Sequence, residues 1–313
     1  MQVFRSTDTP HKIPLALTIG NFDGVHLGHQ AMLEQLKQAA KRLNIATCIM
    51  IFEPHPREFL MPGQSPTRLT SLREKLEIFA QLNIDRVQIC HFNHAFAQIS
   101  AQTFITDILM QQLNVRWMLV GDDFRFGAKR VGDVAMLKAY AQQTGQFNVE
   151  VMADFSINHI RVSSTAIREA LAAGNMALAQ QLLGRPYSMS GRIVNGDKLA
   201  KQLGFPTANI HFKHSHPPLR GIFVVEVISR ENSNLPKVMQ GVASLGVRPT
   251  THASDKLILE VHLFDFDQEI YGQHLQVNFL HKLRDEEKYA DLEKLIAQIK
   301  QDIKNAKHYF MLH

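Results

Sequence analysis

Two histidines three residues apart, framed by glycines, are the residues of this chain best suited to chemistry. They close the stretch Thr18-Ile-Gly-Asn-Phe-Asp-Gly-Val-His-Leu-Gly-His29. A turn of this composition between a strand and a helix leaves backbone N–H groups at the helix N-terminus, where phosphate is favoured. Gly24 and Gly28 let a ligand come close to the backbone, and His26 and His29 direct imidazoles at the same place. The chemistry this suits is attack on the α-phosphorus of a nucleotide. Its transition state gathers negative charge on non-bridging oxygens, and fixed donors there lower the barrier. One His at a helix start is ordinarily a cap or a surface residue. A pair at this spacing, with Gly20, Phe22 and Asp23 beside it, is a more specific signal.

A second group of anion-seeking residues is Arg161-Val-Ser-Ser-Thr-Ala-Ile-Arg168. Ser and Thr at a helix start are ordinary N-caps. Together with Arg161 and Arg168, however, Ser164 and Thr165 also form a receptor for several phosphate oxygens. A third group is Gly204-Phe-Pro-Thr-Ala-Asn-Ile210 with Leu257-Ile-Leu-Glu-Val-His-Leu263. Thr207 and Asn209, two apart, share one side of a strand. A hydroxyl and an amide oxygen can hold Mg²⁺ and phosphate oxygens, because Mg²⁺ prefers oxygen ligands; the plain alternative is an edge strand with two solvated side chains. Glu260 faces away from Leu257, Leu259, Val261 and Leu263, beside His262. It is either a solvated carboxylate or a general base aimed into a cleft, a role worth on the order of 10²–10⁴ in rate.

Three loops could add contacts. His55 and Arg57 in Glu53-Pro-His-Pro-Arg57 follow a strand, where ligands of parallel sheets bind; otherwise this is a Pro-rigidified loop with an idle His. Gly121-Asp-Asp-Phe-Arg-Phe-Gly127 carries Asp123, Phe124 and Phe126, and suits a planar base stacked on a ring or guanidinium, or is a surface loop with solvated charges. Gly191-Arg-Ile-Val-Asn-Gly-Asp-Lys198, with Gly191 and Lys198 at its ends, could close over a nucleotide or be a plain hairpin.

The elements that position these residues follow from periodicity. Leu15–Ile19 reads as a buried strand, and Gln30–Leu43 as a helix with Met32, Leu36, Ala39 and Leu43 inward. Ile45–Phe52 completes a β-α-β unit with a parallel sheet. Ser71-Leu-Arg-Glu74 is a capping box opening a helix with Leu72, Leu76, Phe79 and Leu82 inward. Strands over 86–92, 115–120 and 147–153 alternate with helices over 103–113 and from Asp133 to Gly145. Asn175–Leu183 is a short helix closed by Gly184. At Arg185-Pro186 the pattern changes to alternation: 187–194, 205–212, 221–229, 238–245, 257–266 and 274–279 read as strands without intervening helices, which predicts a small closed barrel. After Arg284, Asp285 is expected to cap a last helix with Tyr289, Leu292, Ile296, Ile299 and Ile303 on one face, packed across the barrel. The predicted fold is an α/β doubly wound parallel sheet over 1–184, followed by a small antiparallel β-barrel with a C-terminal helix over 185–313.

The chain of 313 residues is long enough for two such domains. Its net charge of +5 favours anionic ligands, but the charges are scattered rather than clustered, which fits mononucleotides and gives no nucleic-acid footprint. Cys48 and Cys90 lie in apolar runs and read as reduced core residues, so a cytoplasmic setting is expected. No apolar run is long enough to cross a bilayer, and no secretory h-region follows Met1. Neither G-x-x-x-x-G-K-[ST] nor G-x-G-x-x-G occurs, so any use of ATP has another design.

The stretch Gly20–His29 resembles the G-x-F-D-G-x-H-x-G-H signature of nucleotidyltransferases, relatives of the class I aminoacyl-tRNA synthetase catalytic domain. Ser163-Ser-Thr-Ala-Ile-Arg168 resembles their second signature, S-S-T-x-x-R. Leu203–Ile210, Gly221-Ile-Phe, Gly246-Val-Arg-Pro-Thr250, Leu259-Glu-Val-His262 and Leu283-Arg-Asp-Glu286 look like the riboflavin kinase domain. In this order they resemble the bacterial bifunctional riboflavin kinase/FMN adenylyltransferase family along nearly the whole chain. The resemblance implies two steps, with ATP, riboflavin and FMN as substrates and Mg²⁺ accompanying ATP. Glu260 would be the base for phosphoryl transfer to riboflavin, with Thr207 and Asn209 holding Mg²⁺-ATP and Arg284 in the kinase site. His26 and His29 would stabilise the α-phosphoryl transition state of FAD formation, with Ser164, Thr165 and Arg168 on the departing phosphates. His55 and the Phe124–Phe126 loop would contact nucleotide or flavin. The resemblance assigns no oligomeric state, no nucleic acid and no membrane. Ser244 stands where the family commonly has Asn, Val247 where Thr is common, and Tyr289 where Phe is usual. Two other readings remain open at this point: adenylylation of a different phospho-compound with a barrel that only binds, and a non-catalytic flavin- or RNA-binding regulator. A regulator needs neither the His pair nor Glu260 with Thr207 and Asn209.

Overall fold

A computed structural model describes residues 1–5, 13–195, 204–212, 217–229, 235–247 and 257–313. These fall into two compact units: Met1–Pro66 with Lys75–Val162, and Thr67–Glu74 with Ser163–His313.

The first unit is built on a six-stranded sheet of β1 (Gln2–Phe4), β2 (Leu15–Ile19), β3 (Ala46–Glu53), β4 (Arg86–His91), β5 (Val115–Gly121) and β6 (Asn148–Met152). The order is β1-β4-β3-β2-β5-β6, and every pairing is parallel. β3 lies on one side of β2 and β5 on the other, so the winding reverses between β2 and β5. In such sheets ligands bind at the carboxyl ends of the strands flanking that reversal. The loop after β2 is the one with the two histidines. β2 is buried along its whole length, as a central strand covered on both faces must be. One face packs Leu15, Leu17, Cys48, Met50 and Cys90 against Phe104, Ile105, Ile108 and Leu109. Over Phe104–Gln112 the helix widens to i→i+5 bonding, as in the bond from Leu113 N–H to the Ile108 carbonyl, 2.9 Å. A small hairpin, β7 (Ser156–Ile157) with β8 (Ile160–Arg161), ends the unit.

Local signals set several boundaries correctly. Asp133 caps the helix Val134–Thr144, which Gly145 ends in the left-handed region; Asn175 and Gly184 do the same for Met176–Leu183. The helix after the His turn, Leu27–Leu43, buries Leu33, Leu36, Ala39 and Ala40, while Leu43 is 41% exposed. Leu36 and Ala39 are inward as expected, while Leu33 and Ala40 take the buried places expected for Met32 and Leu43. Met32 lies beside β2, its sulfur accepting from the Thr18 hydroxyl at 3.1 Å.

In the second unit, β9 (Tyr187–Val194), β10 (Ala208–Phe212), β11 (Gly221–Ser229), β12 (Val238–Val247), β13 (Leu257–Leu263) and β14 (His274–Arg284) form a closed barrel in the order β10-β13-β12-β11-β14-β9, with β9 and β10 completing the ring. All its pairings are antiparallel. Inside, Phe279 meets Phe223 edge-on at 5.3 Å and Tyr187 at 6.0 Å. Gly191 lies within β9, paired with Phe212 and Leu275, rather than in a loop, and a Cβ there would collide with the His211 carbonyl of β10. The helix Met176–Leu183 packs on β9 and β14, and Leu292–Leu312 on β11, β12 and β14. That last helix starts later than the sequence suggested. β14 continues through Arg284, which pairs with Ile222, so Asp285 is no cap; Asp291 is, accepting from Lys294 N–H at 2.8 Å.

Candidate active sites

The turn between β2 and the helix Leu27–Leu43 gathers every residue expected of it. His26 has extended backbone and caps the helix, its Nδ1 accepting from the His29 N–H at 3.3 Å. Because Nδ1 accepts, the neutral ring carries its proton on Nε2, a donor suited to an anionic oxygen. The two imidazoles stack, centroids 3.6 Å apart and planes 15° apart. Phe22 backs the stack, its ring 4.8 Å from His29, and Asp23 is buried among these residues. Gly28 presses on the His26 ring, which a Cβ would meet at 3.2 Å. The turn is strained: Phe22 and Val25 have φ of +48° and +42°, and Gly24 +81°. Non-Gly residues in that region cost free energy and persist where the surroundings hold them. Gly20 anchors the start, donating its N–H to the Met50 carbonyl at 3.2 Å.

The neighbouring loops are more committed to structure. His55 caps the short helix Pro56–Leu60, its Nδ1 accepting from Arg57 N–H at 3.1 Å while Glu58 accepts from His55 N–H at 3.3 Å. After β5, Phe126 is buried in the core against Phe104, 5.3 Å away, and Phe124 stacks on Phe126 at 5.6 Å with part of its surface open. The structure thus makes Phe126 a support and Phe124 the ring at the surface. Asp123 is exposed in the same loop, and Arg125 pairs with Asp133 at 3.3 Å. Arg161 pairs with Asp154 at 2.7 Å, both largely exposed.

In the second unit, Ser163 rather than Ser164 caps the helix Ser164–Ala172, accepting from Ala166 N–H at 3.2 Å. Ser164 and Thr165 therefore occupy the first turn of the helix. Arg168, one turn further along, donates through Nε to the Thr67 carbonyl at 2.6 Å.

The barrel brings its three expected residues together. Asn209 on β10 pairs directly with Glu260 on β13, and Glu260 with Ser244 on β12. Directly opposed residues project to the same side with Cβ atoms about 5 Å apart. Leu259, Val261 and Leu263 alternate inward, which leaves Glu260 and His262 on the outer face. Thr207 lies one residue before β10, not within it: Pro206 has no N–H for the ladder, and its carbonyl is bonded by His262 Nδ1 at 2.9 Å. Thr207 and Asn209 both line a cleft of about 320 Å³, with Ile193, Asp267, Glu269 and Tyr271 among the other walls. A hydroxyl and an amide oxygen fit a small hard cation that keeps most of its ligands from phosphate and water. Among the described residues no cluster of three His, Cys, Asp or Glu could hold a metal by itself.

Arg284 is fixed by the last helix. Its Nε and one terminal nitrogen bond the Asp302 carboxylate at 3.0 and 2.7 Å, and another donates to the Asp285 carbonyl at 2.9 Å. Burial works against its charge, but the bonds and charge of Asp302 outweigh it and hold its pKa above the ordinary value. Lys198 lies outside the described residues.

Sequence reading missed Asp302, buried on the apolar stripe between Ile299 and Ala306, where its spacing is the signal. It also missed Lys75, whose ammonium donates to the Asn21 carbonyl at 2.6 Å. The capping-box Glu74 does more than cap: besides accepting from Ser71 N–H at 2.7 Å, it accepts from the N–H and hydroxyl of Ser190 on β9 at 2.7 and 3.0 Å. Buried Arg185 lies near it, and burial pushes the Arg185 pKa down to about 10 against the pull of Glu74.

Comparison with known proteins agrees with both halves. A family model for FAD synthetase matches residues 8–166, and one for riboflavin kinase matches 183–310. The bifunctional riboflavin kinase/FMN adenylyltransferase of Escherichia coli K12 is 44% identical over 95% of this chain and 93% of its own length. That of Haemophilus influenzae is 43% identical over 99% of both. Among solved structures, one titled a macrolide-efflux protein from Streptococcus pneumoniae superposes with a TM-score of 0.82 at 26% identity over 96% of each chain. Among the described residues no helix is long and apolar enough to cross a membrane.

Proposed function

The chain belongs to the bifunctional riboflavin kinase/FMN adenylyltransferase family, and from that premise we propose which residues carry its two ATP-dependent steps. Riboflavin kinase moves the γ-phosphoryl of ATP to the terminal ribityl hydroxyl of riboflavin, releasing ADP. FMN adenylyltransferase joins the FMN phosphate to the α-phosphorus of a second ATP, releasing pyrophosphate. We assign the first step to residues 185–313 and the second to residues 1–184.

In the kinase step, Glu260 takes the ribityl hydroxyl proton as the oxygen attacks. Thr207 and Asn209 orient the ATP phosphates together with Mg²⁺, which when bound neutralises charge building on the transferring group. The outer-face row Asn209–Glu260–Ser244 supports this, because it sets the base directly beside the phosphate-orienting side chains. In the adenylyl step, His26 and His29 donate to the non-bridging oxygens of the α-phosphorus, and no base is required because the attacking group is already a phosphate anion. Ser164, Thr165 and Arg168 take oxygens of a departing pyrophosphate. Phe124 offers its open face to a planar ring, with His55 and Asp123 as further contacts. Two buried free thiols and ATP-dependent substrates favour the cytoplasm.

The observation that carries the assignment is the Asn209–Glu260 pairing, since neither a binding-only barrel nor a regulator needs a carboxylate there. The test is to supply riboflavin, ATP and Mg²⁺ and separate the flavins. FMN and FAD are expected. Glu260→Ala stops FMN formation and leaves FMN-to-FAD conversion; His29→Ala does the reverse. If either change abolished both steps in a folded protein, the division would be wrong.

A further inference from the structure

We propose that Lys75 is a positioning residue for adenylyl transfer, one that holds the His26–His29 turn in its reactive shape; this rests on the reading of the two histidines given above. Lys75 is 6% exposed, and its ammonium donates to the Asn21 carbonyl at 2.6 Å. Burying an ammonium is costly unless its N–H groups are bonded, so a lysine here is matched to what it holds. What it holds is the entry to the strained segment. Asn21 precedes Phe22 at φ +48°, Gly24 at +81° and Val25 at +42°. Val25 is β-branched, and such residues avoid positive φ unless fixed by their surroundings.

Four residues further along the helix Leu72–Gln81, on the same face, Phe79 meets the Phe22 ring edge-on at 5.6 Å. Phe22 in turn lies 4.8 Å from His29, and His29 stacks on His26 at 3.6 Å. One helix face therefore grips two consecutive residues of the turn, the Asn21 carbonyl through Lys75 and the Phe22 ring through Phe79. Rotation of the peptide between Asn21 and Phe22 would break the first grip and tilt the ring behind His29. The histidines face oxygens whose negative charge grows as the transition state forms, so displacing them lowers kcat more than it weakens ATP binding. Misplacement by about 1 Å costs on the order of 10²-fold.

The experiment uses the full-length protein and measures both activities. In Lys75→Met, kcat for FMN-to-FAD conversion is expected to fall about 10- to 100-fold, with the KM for ATP within about threefold of wild type and riboflavin phosphorylation unchanged. Lys75→Arg, which keeps a charged donor, is expected to recover part of that kcat, and it serves as the test variant if the Met form does not fold. A rise in KM for ATP at constant kcat would make Lys75 a phosphate binder and overturn the proposal. Parallel loss of both activities, or an Arg variant no better than Met, would make it a packing residue and overturn it as well. His29→Ala runs alongside. If it retains FAD synthesis, the reading of the histidines fails; if it loses FAD synthesis while Lys75→Met keeps full kcat, only the present inference fails.

Discussion

Glu260 stands directly across the β10–β13 ladder from Asn209. Asn209 lines the cleft and Glu260 sits on the outer barrel face beside it. A carboxylate in that position acts by accepting a proton, which an amide of nearly the same shape cannot do. Glu260→Gln is therefore expected to lower riboflavin phosphorylation by on the order of 10²–10⁴, with little change in stability and none in FAD formation from supplied FMN. Flavin separation by chromatography, with and without added FMN, checks this.

His262 fixes the residue preceding Thr207. Its Nδ1 bonds the Pro206 carbonyl at 2.9 Å, and its ring stands edge-on to Phe205 and Phe264 at 6.1 and 6.0 Å. His262→Ala frees the segment that presents Thr207 to the cleft. The expected result is a rise of roughly tenfold in the KM for ATP of the kinase step, corresponding to about 1.4 kcal/mol for one lost hydrogen bond. The adenylyl step is expected to keep its KM, so steady-state kinetics of the two reactions in one preparation separate this effect from unfolding.

What the sequence made legible was local. The glycines and histidines of 20–29 are contiguous, so their turn could be read from their order, and Asp133, Gly145, Asn175 and Gly184 act on N–H and C=O groups within four residues. Strand alternation in Leu257–Leu263 likewise put Glu260 on the outer face before any partner was known. What escaped were partnerships across the chain. Lys75 bonds a backbone carbonyl 54 residues away, and backbone acceptors leave no mark in a sequence. Asp285 reads as the cap of the last helix because acidic residues open that segment and lysines follow; the ladder to β11 carries β14 to Arg284, and tertiary pairing overrides the local cap. Phe126 read as a candidate stacking platform, yet its depth in the core depends on Phe104, a residue from a distant helix.

Arg284 on β14 and Asp302 on the last helix form an ion pair at 2.7 Å. The carboxylate is 5% exposed, and it receives two guanidinium nitrogens and the Gln298 amide. Removing the Asp302 carboxylate takes the charged partner from Arg284, which is 18% exposed and still donates to the Asp285 carbonyl, at a cost of about 1.5–3 kcal/mol for hydrogen bonds to a charged group. Asp302→Ala is expected to lower the melting temperature by roughly 3–12 °C for a unit of this size. Asp302→Asn, which keeps an acceptor, loses less. Thermal unfolding followed by circular dichroism measures both. An unchanged melting temperature in Asp302→Ala would show that the helix is held by its apolar contacts alone.

Cys48 and Cys90 lie in the core of the first unit, and burial pushes both thiols up to about 12, Cys90 also through the neighbouring Cys48. An unfolded thiol titrates near 8.5, so the folded state favours the protonated form. That contribution is fully present below about pH 8.5 and is lost as pH rises toward 12, because the unfolded chain releases protons the folded one retains. At pH 10 each thiol is expected to cost about 1–2 kcal/mol relative to pH 7.5. Urea midpoints at the two pH values measure the loss. Cys48→Ala lowers stability at both through its cavity, but it is expected to shrink the difference between them by about half if the two thiols contribute alike. In the native protein at pH 7.5, iodoacetamide is expected to react with neither thiol until urea opens the sheet, with mass spectrometry as the readout. A fast-labelling thiol in the folded state would place Cys48 or Cys90 outside the packed face shared with Phe104 and Leu109.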